Sequence, residues 1–302
     1  MSKSRLSYLF IPLLALIWGS SFILMKLGMF DASGKAIFSA AQVASLRIVL
    51  AGLVFLPMFP ALFKKLHQKR DLLFFCIVGL GGNLIPAFLF TYAEQSLDSG
   101  IAGIMNSFTP VFTLIIGFLL FRTQIVFQQL IGTIIGFCGI SWLLLTGQKT
   151  TGEAQLWPAL AIVFATVLYG LSLNTIKHKL QHYKPLEIAT GGFTMAFLPA
   201  FICFLLFETP DVITNHPKAM QGLLAVSTLG LIGTAFAVVL FNKIIAQTSA
   251  LAASAVTYFI PIVAVLIGLS TGESLVWQQF VAMFVIIFAV LLINFAKTKA
   301  TN

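Results

Sequence analysis

Long apolar runs separated by short polar breaks set the pattern of this chain. A helix needs about 20 apolar residues to cross a hydrocarbon core about 30 Å thick. Runs of that length predict helices at 6–27, 41–60, 72–93, 100–121, 125–146, 156–177, 186–207, 220–242, 250–270 and 276–296. The expected fold is all-α and integral to a membrane, with ten transmembrane helices. The first run is too long, and too polar at its end (Ser20, Ser21, Lys26), to read as a signal peptide.

The pattern repeats itself. Trp18-Gly19-Ser20-Ser21 through Lys26 returns 151 positions later as Tyr169-Gly170-Leu171-Ser172 through Lys177. The same offset relates Gly79 and Gly82 to Gly230 and Gly233, Leu89-Phe90 to Leu240-Phe241, and Pro110 to Pro261. In the second helix of each copy the offset falls to 142, since Phe55-Leu56-Pro57 matches Phe197-Leu198-Pro199. The chain therefore reads as two five-helix repeats, 6–147 and 152–297, that together form one transmembrane domain, with Thr150 to Glu153 as the hinge. Five spans is an odd number, so the second copy enters the membrane from the opposite side. Inverted repeats around a midplane site are a recurrent architecture of secondary transporters.

Composition agrees. The 302 residues are 59% hydrophobic and 9% charged, against about 45–50% and about 25% in soluble domains. The net charge of +9 is sorted rather than diffuse: with the N-terminus inside, Lys3, Arg5, Lys64, Lys65, Lys69, Arg70, Arg122, Lys177, Lys179, Lys184, Lys243, Lys297 and Lys299 are cytoplasmic, and only Lys26, Lys35, Lys149 and Lys218 are outside. This asymmetry is the positive-inside bias. It puts both termini in the cytoplasm and explains the Lys64 to Arg70 cluster without a nucleic-acid partner. Cys76, Cys138 and Cys203 all fall in expected spans and read as packing residues.

Trp18 and Tyr169 lie deep in their helices, roughly 18 Å from the entry at 1.5 Å per residue, beyond the reach of an interfacial belt. They pack between helices or line a cavity. Gly19 and Gly170 suit close packing, Ser21 offers a hydrogen bond, and Asn106 and Asn174 are costly to bury and suit a polar cavity. Lys26 and Lys177 near helix ends snorkel or bind ligand. Arg47 falls inside the second span and needs a partner, either Glu94 or Asp98 as an ion pair or an anionic substrate group. Pro110 and Pro261, at equivalent positions, read as hinges or kinks beside Asn106-Ser107-Phe108-Thr109 and Thr257-Tyr258-Phe259-Ile260. Motifs for metal-dependent or phosphate chemistry are missing from the sequence, so neither a catalytic residue, a metal nor a cofactor is expected.

The Trp-Gly-Ser-Ser-Phe of the first helix, Leu46-Arg47, and Ser99-Gly100-Ile101-Ala102-Gly103 leading to Thr109-Pro110 resemble the EamA family of the drug/metabolite transporter superfamily. So do Leu251-Ala252-Ala253-Ser254 leading to Ile260-Pro261, and Gly272-Glu273. The first half departs from the family's Gly-Glu, carrying Phe121-Arg122 there. The resemblance runs from about residue 7 to 296. It implies a bacterial inner-membrane location, a small-molecule metabolite such as an amino acid as substrate, and peripheral fifth and tenth helices. It places Trp18, Ser21, Arg47, Asn106, Tyr169, Asn174 and Tyr258 on the substrate cavity. The expected function is a secondary transporter, an exporter working by alternating access; an uptake permease of the same fold, or a polytopic membrane enzyme or scaffold, are the alternatives.

Orientation has a direct test. Reporter fusions at the C-terminus are expected to be active only as cytoplasmic reporters, and periplasmic alkaline phosphatase activity from a fusion after Asn302 would overturn the topology.

Overall fold

A computed structural model describes residues 3–146, 156–247, 253–272 and 276–295, and these are helical throughout apart from short connections and one isolated bridge, Phe30 to Ala36. The helices are α1 (Lys3–Met29), α2 (Ala40–Phe63), α3 (Asp71–Ala93), α4 (Ser99–Phe121), α5 (Phe127–Thr146), α6 (Leu156–Lys179), α7 (Pro185–Leu206), α8 (Ala219–Gln247), α9 (Ile260–Ser270) and α10 (Trp277–Phe295). Seven of these are long and apolar enough to cross a membrane, and the segments Phe127–Gly139, Ile260–Ser270 and Phe280–Ile293 of α5, α9 and α10 are shorter apolar helices. The expected ninth span differs most, because a 3-10 turn at Ala255–Tyr258 separates α9 from the chain before it. The expected hinge at Thr150 to Glu153 lies outside the described residues, as does Glu273.

Packing follows the repeat. α2 packs on α7, and α5 on α10; α3 packs on α6 and α7, while α8 packs on α1 and α2; α4 packs on α6, and α9 on α1. Exchanging the two copies maps the first two pairings onto themselves and each of the others onto another. Glycine permits two of the crossings: a Cβ on Gly170 of α6 would sit 2.8 Å from the Phe112 carbonyl carbon of α4, and one on Gly19 of α1 would sit 2.5 Å from Val263 of α9. Elsewhere the outer faces carry exposed Leu119, Phe127, Trp157, Leu206, Met220, Trp277 and Phe284, which suits contact with lipid rather than water.

Besides a 3-10 turn at Leu56–Met58 within α2, four of the described helices are not regular. α3 and α8 each contain a π-helical stretch, Ile77–Leu84 and Leu229–Phe236, and such stretches in an α-helix frequently mark functional sites. α4 breaks after Asn106 and restarts at Thr109, as the 3-10 turn before α9 does in the second copy. Pro110 and Pro261 each sit in the first turn of the restarted helix, where a missing N–H costs no hydrogen bond.

Short connections lock the helix ends. At one end of α2, the Asp31 carboxylate accepts from Ser33 N, Ser33 Oγ and Lys35 N at 2.8, 2.6 and 2.9 Å and pairs with Lys218 before α8. Beside it Ser39 caps α2, and Gln42 Nε2 donates to Phe207 O at 2.7 Å. At the other end of α2, Tyr183 OH donates to Asp71 Oδ2 at 2.7 Å and accepts from His67 N at 3.0 Å. Burial, with the Asp71 carboxylate adding to it, pushes Tyr183 up to about 12, so it remains a neutral donor across the physiological range.

The ammonium of Lys218 and the donors of Ser33 hold Asp31 far below the usual carboxylate range. Its contribution to stability is therefore present above the unfolded value of about 3.9 and is lost as pH falls below that value toward the folded one. In detergent, Asp31→Asn is expected to melt below the wild type by a constant margin between pH 5 and pH 8, and that margin should shrink as pH drops under about 4. A margin independent of pH would show that the carboxylate's charge contributes nothing.

Candidate functional site

The irregular segments meet around a cavity of about 130 Å³, walled by α1, α2, α3, α4, α6, α8 and the 3-10 turn. The two π-helical stretches form part of it in the same way. Asn83 Nδ2 donates to Val78 O at 3.0 Å, and Thr234 Oγ1 donates to Leu229 O at 2.9 Å; each bond spans five residues, at equivalent places in the two copies. Trp18 Nε1 donates to Gly233 O at 3.1 Å, so its indole N–H is satisfied at membrane depth.

Aromatic rings line opposite walls. Trp18 meets Phe241 edge-on at 4.8 Å, and Tyr169 stacks on Phe90 at 6.0 Å. These pairs again correspond under the repeat. Phe22, Met25 and Leu173 complete an apolar lining, so a ligand here exchanges water for ring faces and thioether.

Polar groups are few and unevenly placed. Arg47 is half-buried; its Nε donates to Thr234 Oγ1 at 2.6 Å, Nη1 lies 3.9 Å from Met25 Sδ, and Glu94 and Tyr169 are within electrostatic reach. Glu94, 1% exposed, is thus the neighbouring carboxylate, whereas Asp98 sits 3.9 Å from Lys26. That contact gives Lys26 a carboxylate partner at its helix end. Lys177 Nζ donates to Ile245 O at 3.4 Å. Asn106 and Asn242 also reach the cavity, both buried.

Of the residues singled out in the sequence, Trp18, Ser21, Arg47, Asn106 and Tyr169 all line this cavity. Asn174 is not among the lining residues. Its Nδ2 donates to Thr113 O at 2.8 Å and Gly170 O at 2.9 Å, tying α6 to α4; a deeply placed amide satisfied by a neighbouring helix backbone needs no cavity. The side chain of Tyr258 lies outside the described residues, while its neighbour Thr257 is at the wall. Asn242, Thr234, Phe90 and Phe241 were not recognised as site residues from sequence. Their signal was in the alignment of the copies, since Phe90 and Phe241 are equivalent and Asn242 stands where the first copy has Thr91. Among the described residues no group of three or more His, Cys, Asp or Glu is placed to hold a metal.

Comparison with known proteins agrees with this geometry. The model of the EamA-like transporter family matches residues 5–145 and again 156–295. The Uncharacterized inner membrane transporter YedA of Escherichia coli (strain K12) is 28% identical over 94% of this chain and 89% of its own length. The Uncharacterized transporter YoaV of Bacillus subtilis (strain 168) is 21% identical, over 84% of each chain. A Probable terminal-alkyne amino-acid exporter of Streptantibioticus cattleyicolor is 24% identical, over 83% of this chain and 80% of its own. A crystal structure 16% identical in sequence matches the fold with a TM-score of 0.64, over 94% of this chain and 95% of that one. With one family model fitted twice across nearly the full length, on helices that surround a shared cavity, the chain is a multi-pass membrane protein and belongs to the EamA-like transporter family.

Proposed function

We propose that this protein is a secondary transporter that exports small amino-acid-like metabolites from the cytoplasm across a bacterial inner membrane. The observation that carries the reading is the cavity itself: aromatic faces contributed by both copies, with the guanidinium of Arg47 held at its wall. Its volume of about 130 Å³ is well under the ~300–1,000 Å³ of clefts that take drug-sized ligands, which suits a small metabolite. A planar guanidinium matches a carboxylate, and ring faces suit an apolar side chain. The name of the relative from Streptantibioticus cattleyicolor, an amino-acid exporter, supports both the substrate class and the direction.

Exchange symmetry in the packing supports alternating access. In this reading the repeats 6–147 and 152–297 are inverted five-helix units, all ten helices cross the bilayer with both termini cytoplasmic, and rocking of one unit on the other opens the cavity to each side in turn. The breaks at Pro110 and Pro261 supply the bending points.

Two measurements test this. Purified protein in liposomes is expected to show saturable counterflow of at least one neutral amino acid; folded protein with no flux for any of the twenty standard amino acids would overturn the substrate class. Arg47→Lys keeps the charge but loses the planar fork. It is expected to raise the half-saturation concentration at least about tenfold, a loss of about 1.4 kcal/mol, with the melting temperature within a few degrees of wild type. Unchanged transport with a large fall in melting temperature would assign Arg47 to the fold instead.

A further inference from the structure

Most of the cavity wall obeys the repeat, and the exceptions are informative. Among these departures, Arg47 stands opposite Ala189, Asn106 opposite Thr257, and Asn242 opposite Thr91. The two threonines are satisfied inside their own copy. Thr91 Oγ1 donates to Ala87 O at 2.9 Å and Thr257 Oγ1 to Ser254 O at 2.7 Å. An asparagine is therefore not what the fold requires at these places.

Each asparagine instead leaves an acceptor over. Asn106 is 7% exposed and Asn242 1%; both line the cavity, and neither Oδ1 has a hydrogen-bond partner among the described residues. Asn242 Nδ2 reaches Pro185 O at 3.4 Å, the contact that assigns Oδ1 as the atom left over. A buried carbonyl oxygen with no donor is costly, and natural proteins keep very few of them. Two on one cavity wall, one from each copy, at positions where the repeat itself offers a self-satisfied alternative, point to donors that arrive with a ligand.

We propose that Asn106 and Asn242 are the specificity-determining residues of this cavity, their Oδ1 atoms accepting hydrogen bonds from the N–H groups of a substrate whose carboxylate is held by Arg47. The proposal rests on the amino-acid reading above and deepens it. A carboxylate without N–H donors leaves both oxygens unpaired, and sites built to hydrogen-bond a substrate group discriminate strongly against analogues that lack it.

The test uses matched probes and the substitutions that the repeat already accommodates, Asn106→Thr and Asn242→Thr. Counterflow into liposomes is measured for L-valine, L-leucine and L-phenylalanine and for the 2-oxo acid of each, which replaces the ammonium by a keto oxygen. Wild type is expected to prefer the amino acid at least tenfold, each variant to reduce that ratio to threefold or less, and ligand-free Asn106→Thr to melt about 2 °C or more above wild type. A ratio unchanged in both variants, or a wild type that moves the 2-oxo acids as well as the amino acids, would overturn the assignment. If wild type moves none of the six probes, the same ratio is read with whichever of the twenty standard amino acids it does move, and if it moves none of them the amino-acid reading fails on its own. The melting temperature of ligand-free Asn106→Thr then decides the asparagines: a rise of about 2 °C or more supports a ligand role, and anything less assigns Asn106 to packing and overturns it.

Discussion

In hydrocarbon no water is at hand to satisfy a backbone N–H or C=O, so every irregularity in a spanning helix must find its partners inside the protein. Among the described residues this chain interrupts four helices around the cavity and still surrounds those places with protein. The means are specific. Trp18 Nε1 takes the carbonyl of Gly233 beside one π-helical stretch, Asn83 and Thr234 bond back across their own π turns, Ser107 Oγ donates to Thr257 O at 3.1 Å between the two broken segments, and Asn174 takes the carbonyl of Thr113. Irregular backbone is tolerated at membrane depth only where it is enclosed or lines a cavity, and here it does both.

Small residues make that enclosure possible. Gly79 of α3 approaches the backbone of Gly192 in α7, and Gly230 of α8 approaches the Arg47 carbonyl of α2. The π-helical stretches are thereby pressed against the helices they must shape, and Arg47 is fixed through its backbone as well as through Thr234. α5 and α10 stand apart from this arrangement. They pack on each other through Gly132, Gly136 and Gly139, and among the described residues neither reaches the cavity wall, in keeping with the peripheral place the family resemblance implies.

Much of the fold was legible in the sequence, because a duplication prints its equivalences at a constant offset. Apolar run length located the helices, and the offset of 151 paired Trp18 with Tyr169 before any contact was known. What stayed hidden has physical reasons. A π turn and an α turn have nearly the same sequence requirements, so the glycines at 79, 82, 230 and 233 marked equivalent places in the two copies but not the wider hydrogen-bond ladder. Asn174 and Asn106 looked alike in sequence, both being amides at depth; which one meets a carbonyl and which one meets the cavity depends on helix rotation, and the spans were apolar on too many sides to fix it. Asn242 fell at the predicted edge of its span, where an amide is unremarkable. A span that continues to Gln247 places it inside.

The contacts that hold the two ends of α2 respond differently to dissolved ions. Lys218, half exposed, meets Asp31 as one full charge against another, an attraction that mobile ions weaken once the screening length falls to about 8 Å at physiological ionic strength. Tyr183 meets the buried Asp71 as a neutral hydroxyl on a carboxylate at 2.7 Å, a short-range contact that dissolved ions barely touch. Raising salt therefore weakens the Lys218–Asp31 attachment at one end and the exposed Lys65–Glu187 pair, 3.2 Å apart, at the other, while the Tyr183–Asp71 contact stays as it was.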